Sequence, residues 1–242
     1  MGWHLGRSPV AIVQILINHL TRMQPGHVCV AGVDVHTLKH VRPVLRYGRL
    51  TTDHLRRNGG PLDIASVVDL GPTAYAGRAP EVEDYYFNSA GATWLFDDDP
   101  NDYWEFLNQV ADKSLTMIFG PDLEQGEGSC TLEVGEGFAS LGCLTPEEQP
   151  WVYVDHRGTV RMVLECITPS ADLAVTDLRL YERDHKTPRV DLVTDVQRRI
   201  KAGVEVILSV GLTRAWRKQN DTAERHWLQI NNIHLEDHPL WR

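Results

Sequence analysis

Two stretches of the chain carry side chains that recognise phosphates and flat rings. The first runs from Lys39 through Arg42 and Arg46 to Arg49, with Tyr47 among them, and Asp53 is the only acid as far as Arg57. Arg42 and Arg46 are four residues apart, so in a regular strand both side chains project to one face. The second holds Arg214, Trp216, Arg217 and Lys218, followed by Arg225, His226 and Trp227. Cations interleaved with aromatics are what a groove for single-stranded nucleic acid needs: the cations follow phosphates and the rings stack on bases. Each stretch also has a plain structural alternative. The first would suit an edge strand kept from aggregating by positive charge. The indoles of Trp216 and Trp227 would suit the end of a barrel core.

Other chemistry is sparse. The chain has no P-loop, GxSxG, HExxH or Rossmann glycine pattern, so no catalytic residue is assigned. Asp97, Asp98, Asp99 and Asp102 offer clustered oxygens to a hard cation. Consecutive acids point in different directions, however, and Asp99 is better placed as a helix cap. Cys29, Cys130, Cys143 and Cys166 form no CxxC pair and no zinc spacing with histidine, which fits a reduced compartment. His36, His40 and His54 are too scattered to pair with nearby acids, and the 11 histidines read mostly as surface. Asp177 beside Arg179 reads as the tie of its own loop. Neither a metal nor a cofactor is expected.

The elements that must position these groups are short strands. Ile12, Ile15, Leu16, Leu20 and Met23 recur at helical spacing behind Ser8-Pro9, which predicts an amphipathic helix over Ser8–Met23. His27–Asp34 and His40–Arg46 then read as a hairpin with Pro43 at an edge or bulge. Thr51–Arg57 reads as a helical turn, and Ile64–Leu70 and Val82–Phe87 as further strands. Pro100 opens a helix capped by Asp99, and Leu115–Phe119 reads as a short strand. Gly120–Gly128 has linker composition. In the second half, Trp151–Asp155 and Thr159–Ile167 flank a hairpin turn. Leu173–Tyr181, Val204–Leu212 and Trp227–Leu235 read as strands, and Val190–Ala202 as a helix stopped by Gly203.

Composition is that of an ordinary folded protein of 242 residues, with seven Trp and seven Tyr. A net charge of −9 argues against coating nucleic acid by bulk electrostatics and leaves room for a local basic groove. No stretch is long and apolar enough to predict a membrane span, and a cytoplasmic protein is expected.

VCVAGVD at Val28–Asp34, VRP at Val41–Pro43, SLG at Ser140–Gly142, VTD at Val175–Asp177, LSVGL at Leu208–Leu212 and HWLQINNIH at His226–His234 occur in that order. On this set the chain resembles the bacterial dual OB-fold proteins over roughly residues 27–236. The resemblance implies two fused OB barrels that bind nucleic acid or nucleotide-like ligands, often within bacterial defence systems. It also leaves two departures, the helix before the family's usual start and the acidic net charge.

The expectation is therefore a mainly β, α+β protein: an N-terminal helical extension over 1–26, one OB-like barrel over 27–125 and a second over 126–242. Its expected role is non-catalytic binding of single-stranded DNA or structured RNA through Lys39, Arg42, Arg46, Arg49, Arg214, Trp216, Arg217, Lys218 and Trp227. The alternatives are a protein-interaction subunit docking through the Ser8–Met23 helix and an exposed Trp241, or a nucleotide-sensing or enzymatic pocket between the barrels.

Overall fold

A strand covered on both faces reads as a nearly unbroken apolar run, and the described part of the chain opens on one. The computed structural model describes residues 12–126, 128–165, 170–218 and 221–241. Strand β1 (Ile12–Arg22) occupies most of the segment expected to be a helix, and Ile15, Leu16, Ile17 and Leu20 on it are all buried. The helical spacing arose because apolar residues fill both faces of the strand, so any periodicity finds support. Ser8 and Pro9 lie outside the described residues. Within the extension expected over 1–26, residues 12–22 instead form an interior strand of the first sheet, and residues 1–11 lie outside the described residues.

That sheet contains β2 (Val28–Asp34), β3 (His40–Leu45), β4 (Ser66–Pro72), β5 (Ala74–Tyr75), β6 (Asp84–Phe87) and β7 (Thr93–Asp97). Its order is β5-β6-β3-β2-β1-β4-β7. The expected hairpin is present: β2 and β3 pair antiparallel at Gly32 with Val41 and Val33 with His40. Strand β3 is not an edge. Beyond that short pairing, Arg42 to Leu45 run parallel to β6, so Pro43 loses no partner on the β2 side.

Helix α1 (Pro100–Val110) follows, with the Asp99 carboxylate accepting from the Asn101 amide and Tyr103 and Leu107 buried. After β8 (Ala111–Asp112) comes α2 (Leu115–Phe119), where a strand was expected. Ser114 decides this locally, since its hydroxyl accepts from the Met117 amide at 3.3 Å and caps a helical turn.

The second half is built from β9 (Glu124–Gly126), β10 (Ser129–Glu133), β11 (Leu141–Leu144), β12 (Trp151–Val154), β13 (Val160–Leu164), β14 (Ala171–Ala174), α3 (Val190–Lys201), β15 (Val206–Leu212) and β16 (Arg225–Leu235). The expected linker thus contributes β9, which pairs with β10. One sheet has the order β8-β11-β15-β16-β10-β9, and β12-β13-β14 form a separate three-stranded sheet. The molecule is mainly β with curled sheets, one of them a half-barrel.

Two apolar cores fill the halves. One draws chiefly on residues between Val13 and Leu107, the other on residues from Leu115 to Trp241, including Val193, Val196 and Ile200 of α3. They meet at a seam, since Cys143, Leu178 and Ile207 of the second half join the first core. At this seam β1 and β16 come together, each with an irregularity beside an asparagine, Asn18 and Asn231. Asn232 crosses it: its side chain accepts from the Leu20 amide at 2.7 Å and donates to the Leu20 carbonyl at 3.3 Å.

Trp241 is buried, with its indole N–H donating to the Ile233 carbonyl and Arg179 over its ring, so it presents no docking surface. No helix among the described residues is long and apolar enough to cross a membrane.

Candidate functional site

The structure separates the first basic stretch. Lys39 and Arg49 are exposed, while Arg46 lies beyond the end of β3 with its guanidinium 5.0 Å from the centre of the Tyr86 ring. Arg42 points the other way, into the seam, and is 5% exposed. Its Nε donates to Asp84 at 2.5 Å. Arg214 reaches the other oxygen of the same carboxylate at 2.6 Å and Glu81 at 3.2 Å. One arginine from each predicted stretch therefore converges on Asp84, as a tie between the halves.

Glu83 completes this acidic clasp. Its buried carboxylate accepts from the Ser140 amide and hydroxyl, both at 2.8 Å, and from the Leu141 amide at 3.1 Å. Burial raises its pKa, opposed by the Ser140 hydrogen bonds and the Arg42 charge. Arg42 is thus committed inside the protein, where an ion pair is fixed by geometry rather than offered to a ligand, and the half-exposed Arg214 closes the clasp from its rim.

Trp216, Arg217, Lys218 and Trp227 of the second stretch stay at the surface. Trp216 and Trp227 lie with ring centres 5.7 Å apart, joined by the Trp227 indole N–H donating to the Trp216 carbonyl. The Lys218 ammonium sits 3.3 Å from the centre of the Trp227 ring, a cation–π contact. Its pKa is lowered by burial and then by the nearby charge of Arg161. Arg217 is exposed beside it.

Arg161 links this ledge to a second aromatic pair. It stands opposite Tyr153 across the β12–β13 ladder, and both engage the Asp172 carboxylate. Trp151 and Tyr153, two apart on β12, share a face and stack with ring centres 5.0 Å apart and planes 23° apart. Trp151 is 56% exposed and Trp216 44%. The resulting set, Trp151, Tyr153, Arg161, Lys218, Trp227 and Trp216, brackets two neighbouring cations with two aromatic pairs.

Sequence reasoning missed Trp151, Tyr153 and Arg161 as members of this set. A signal was available in the alternation of Trp151-x-Tyr153 facing Arg161 across a hairpin turn. The acidic clasp carried no such signal, because Glu81, Glu83 and Asp84 open an acidic stretch that reads as a solvated face.

Three further expectations meet the geometry. Asp177 is fully buried, pairs with Arg179 at 2.7 Å and accepts from the Arg179 and Ile233 amides, so it ties its own loop to β16. His19, His185, His226 and His234 are buried, which corrects the surface reading for these four. Asp97 accepts from Ser66 and from the Trp94 indole, and Asp99 caps α1, so these two acids of the acidic run are used structurally. Among the described residues, the side chains with metal-donor geometry are instead His19, His40 and Cys143.

A cleft of about 720 Å³ opens between the halves, with Lys39, His40, Glu83 and Asp112 on its walls together with Tyr75 and Tyr85. No known protein family, curated protein or solved structure matches the chain, and the functional reading rests on this geometry.

Proposed function

We propose that the chain is a non-catalytic module of two OB-like barrels that binds single-stranded nucleic acid along the ring-and-cation run of its second half. The observation that carries the reading is the placement of Arg161 and Lys218 between two aromatic pairs. Exposed rings give sequence-tolerant stacking, roughly 1–3 kcal/mol per base, and the cations between them meet the phosphates. Arg161, Arg217 and Lys218 would supply the phosphate contacts. The net charge of −9 repels a polyanion at long range, so binding depends on short-range contacts.

Fluorescence anisotropy of labelled oligo-dT and oligo-U tests this. Salt-sensitive binding is expected, with a slope of log affinity against log salt near roughly −2 for three phosphate contacts. Lys218→Glu should flatten that slope, and Trp216→Ala should weaken binding at every salt concentration. Absence of binding at low salt would sink the proposal.

A further inference from the structure

Three metal-type donors meet where the two sheets face each other. His19 on β1 stands opposite Ala31 of β2, and His40 at the start of β3 stands opposite Val33. Ala31 and Val33 are two apart on one strand, so both histidines rise from the same face of the sheet on either side of β2. The small Ala31 side chain lets the rings lean together across that strand, edge to face, with centres 5.3 Å apart. Cys143 enters from β11 in the other sheet, its Sγ 3.8 Å from His40 Nε2. One donor atom from each of the three residues lies within 4.8 Å of the others.

These separations suit a common ion. Around tetrahedral zinc, an imidazole nitrogen and a thiolate sulfur lie roughly 3.5 Å apart, and two imidazole centres roughly 5 Å apart.

Two further features favour a ligand over simple packing. His19 is 1% exposed, yet its Nε2 has no hydrogen-bond partner, a state that native interiors rarely tolerate. The trio also has an outer ring of polar contacts. Asn231 Nδ2 lies 3.0 Å from His19 Nδ1, so ion binding at Nε2 requires that amide to turn its oxygen toward the Nδ1–H, and the Cys143 sulfur accepts from Asn18 Nδ2 at 3.1 Å. Contacts of this kind orient metal ligands and tune their donor strength.

We propose that His19, His40 and Cys143 form a three-ligand site for a divalent transition ion of the zinc type, with its fourth position turned toward the cleft that His40 lines. Two imidazoles and a thiolate select a borderline-soft ion over magnesium or calcium. Three protein ligands leave one position for a solvent or ligand oxygen, in contrast to a closed four-ligand structural site. The proposal is independent of the nucleic-acid face, which shares no residue with it.

The test is a cobalt titration of the reduced, chelator-treated full chain. One equivalent of cobalt is expected to bind, with a thiolate-to-cobalt band in the near ultraviolet and the strong visible bands of tetrahedral coordination. Zinc should displace it. Cys143→Ser should lose the ultraviolet band, and His40→Ala should weaken cobalt binding roughly tenfold or more. Because Cys143 is buried, the serine variant is read only where its unfolding midpoint matches the parent. The half-buried His40 supplies the second variant. No cobalt uptake by the folded parent, a band that survives in folded Cys143→Ser, or unchanged affinity in His40→Ala would each overturn the proposal.

Discussion

The seam and the outer face of the second half carry the same kinds of side chain and use them in opposite ways. In the seam, Arg42 is 5% exposed and reaches Asp84 at 2.5 Å, with a second arginine from the other half on the same carboxylate. On the outer face, Lys218 rests on an indole and Trp151 is largely bare. A charge in the seam has left water and depends on its partner, so its loss is felt as stability. A cation or ring on the face keeps its contact with water, so its loss is felt by whatever binds there. Residue type alone does not distinguish the two, which is why one basic stretch could supply both Arg42 and Arg46.

Asp84→Ala strikes the seam most directly. It strands the Arg42 charge in the seam, while the half-exposed Arg214 can turn to water. Removing one member of a buried pair costs about 3–5 kcal/mol, to be read as a fall in the urea midpoint. Replacing the pair together, Arg42→Met with Asp84→Leu, should recover most of that loss. If the single variant unfolds at the parent midpoint, the seam is not dry.

Acid is the next test. Burial holds His19, His40 and His234 below their ordinary range, with His40 pushed down to about 4. The unfolded chain therefore takes up protons first as pH falls. The stability these groups allow is complete above the unfolded value of 6.5 and is lost as pH drops toward about 4, up to about 3 kcal/mol for His40 alone. Glu83 has its pKa raised, so it opposes the trend at the acid end, gaining stability on protonation. Urea midpoints of metal-free protein between about pH 7 and pH 5 read the slope. A flat profile would mean that the histidines are hydrated.

Trp151→Ala probes the outer face. Stability should stay within about 0.5 kcal/mol of the parent, while oligonucleotide affinity falls by about 1–3 kcal/mol. Loss of folding instead would move Trp151 from a bare ring to part of the core.

Much of the fold was legible where local chemistry and tertiary packing agree. Asp99-Pro100 marks α1, the β12–β13 turn marks a hairpin, and α3 ends at Gly203, whose φ of +92° suits glycine. Legibility failed where they diverge. Strand β1 is apolar on both faces, so its pattern does not separate strand from helix. The five residues of α2 are too few to show a period, and only Ser114 distinguishes them from a strand. The ring-and-cation run was half legible, because Trp216, Lys218 and Trp227 are close in sequence and Trp151 is not. The His19, His40 and Cys143 cluster was illegible, since residues 19 and 143 are brought together only by the facing of two sheets.

Asn232 carries a consequence for how the chain is made. It satisfies the backbone of Leu20 across a separation of 212 residues, and the Arg22 amide is likewise satisfied by the Thr176 carbonyl. On a ribosome, the first described strand emerges long before either partner exists. The polar groups at its C-terminal end must wait in water until most of the chain has been synthesised. Contacts of such long range slow folding and leave early strands exposed to wrong pairings. The first half, released alone, would therefore be a late intermediate caught before its closing strand, prone to pair with another copy of itself.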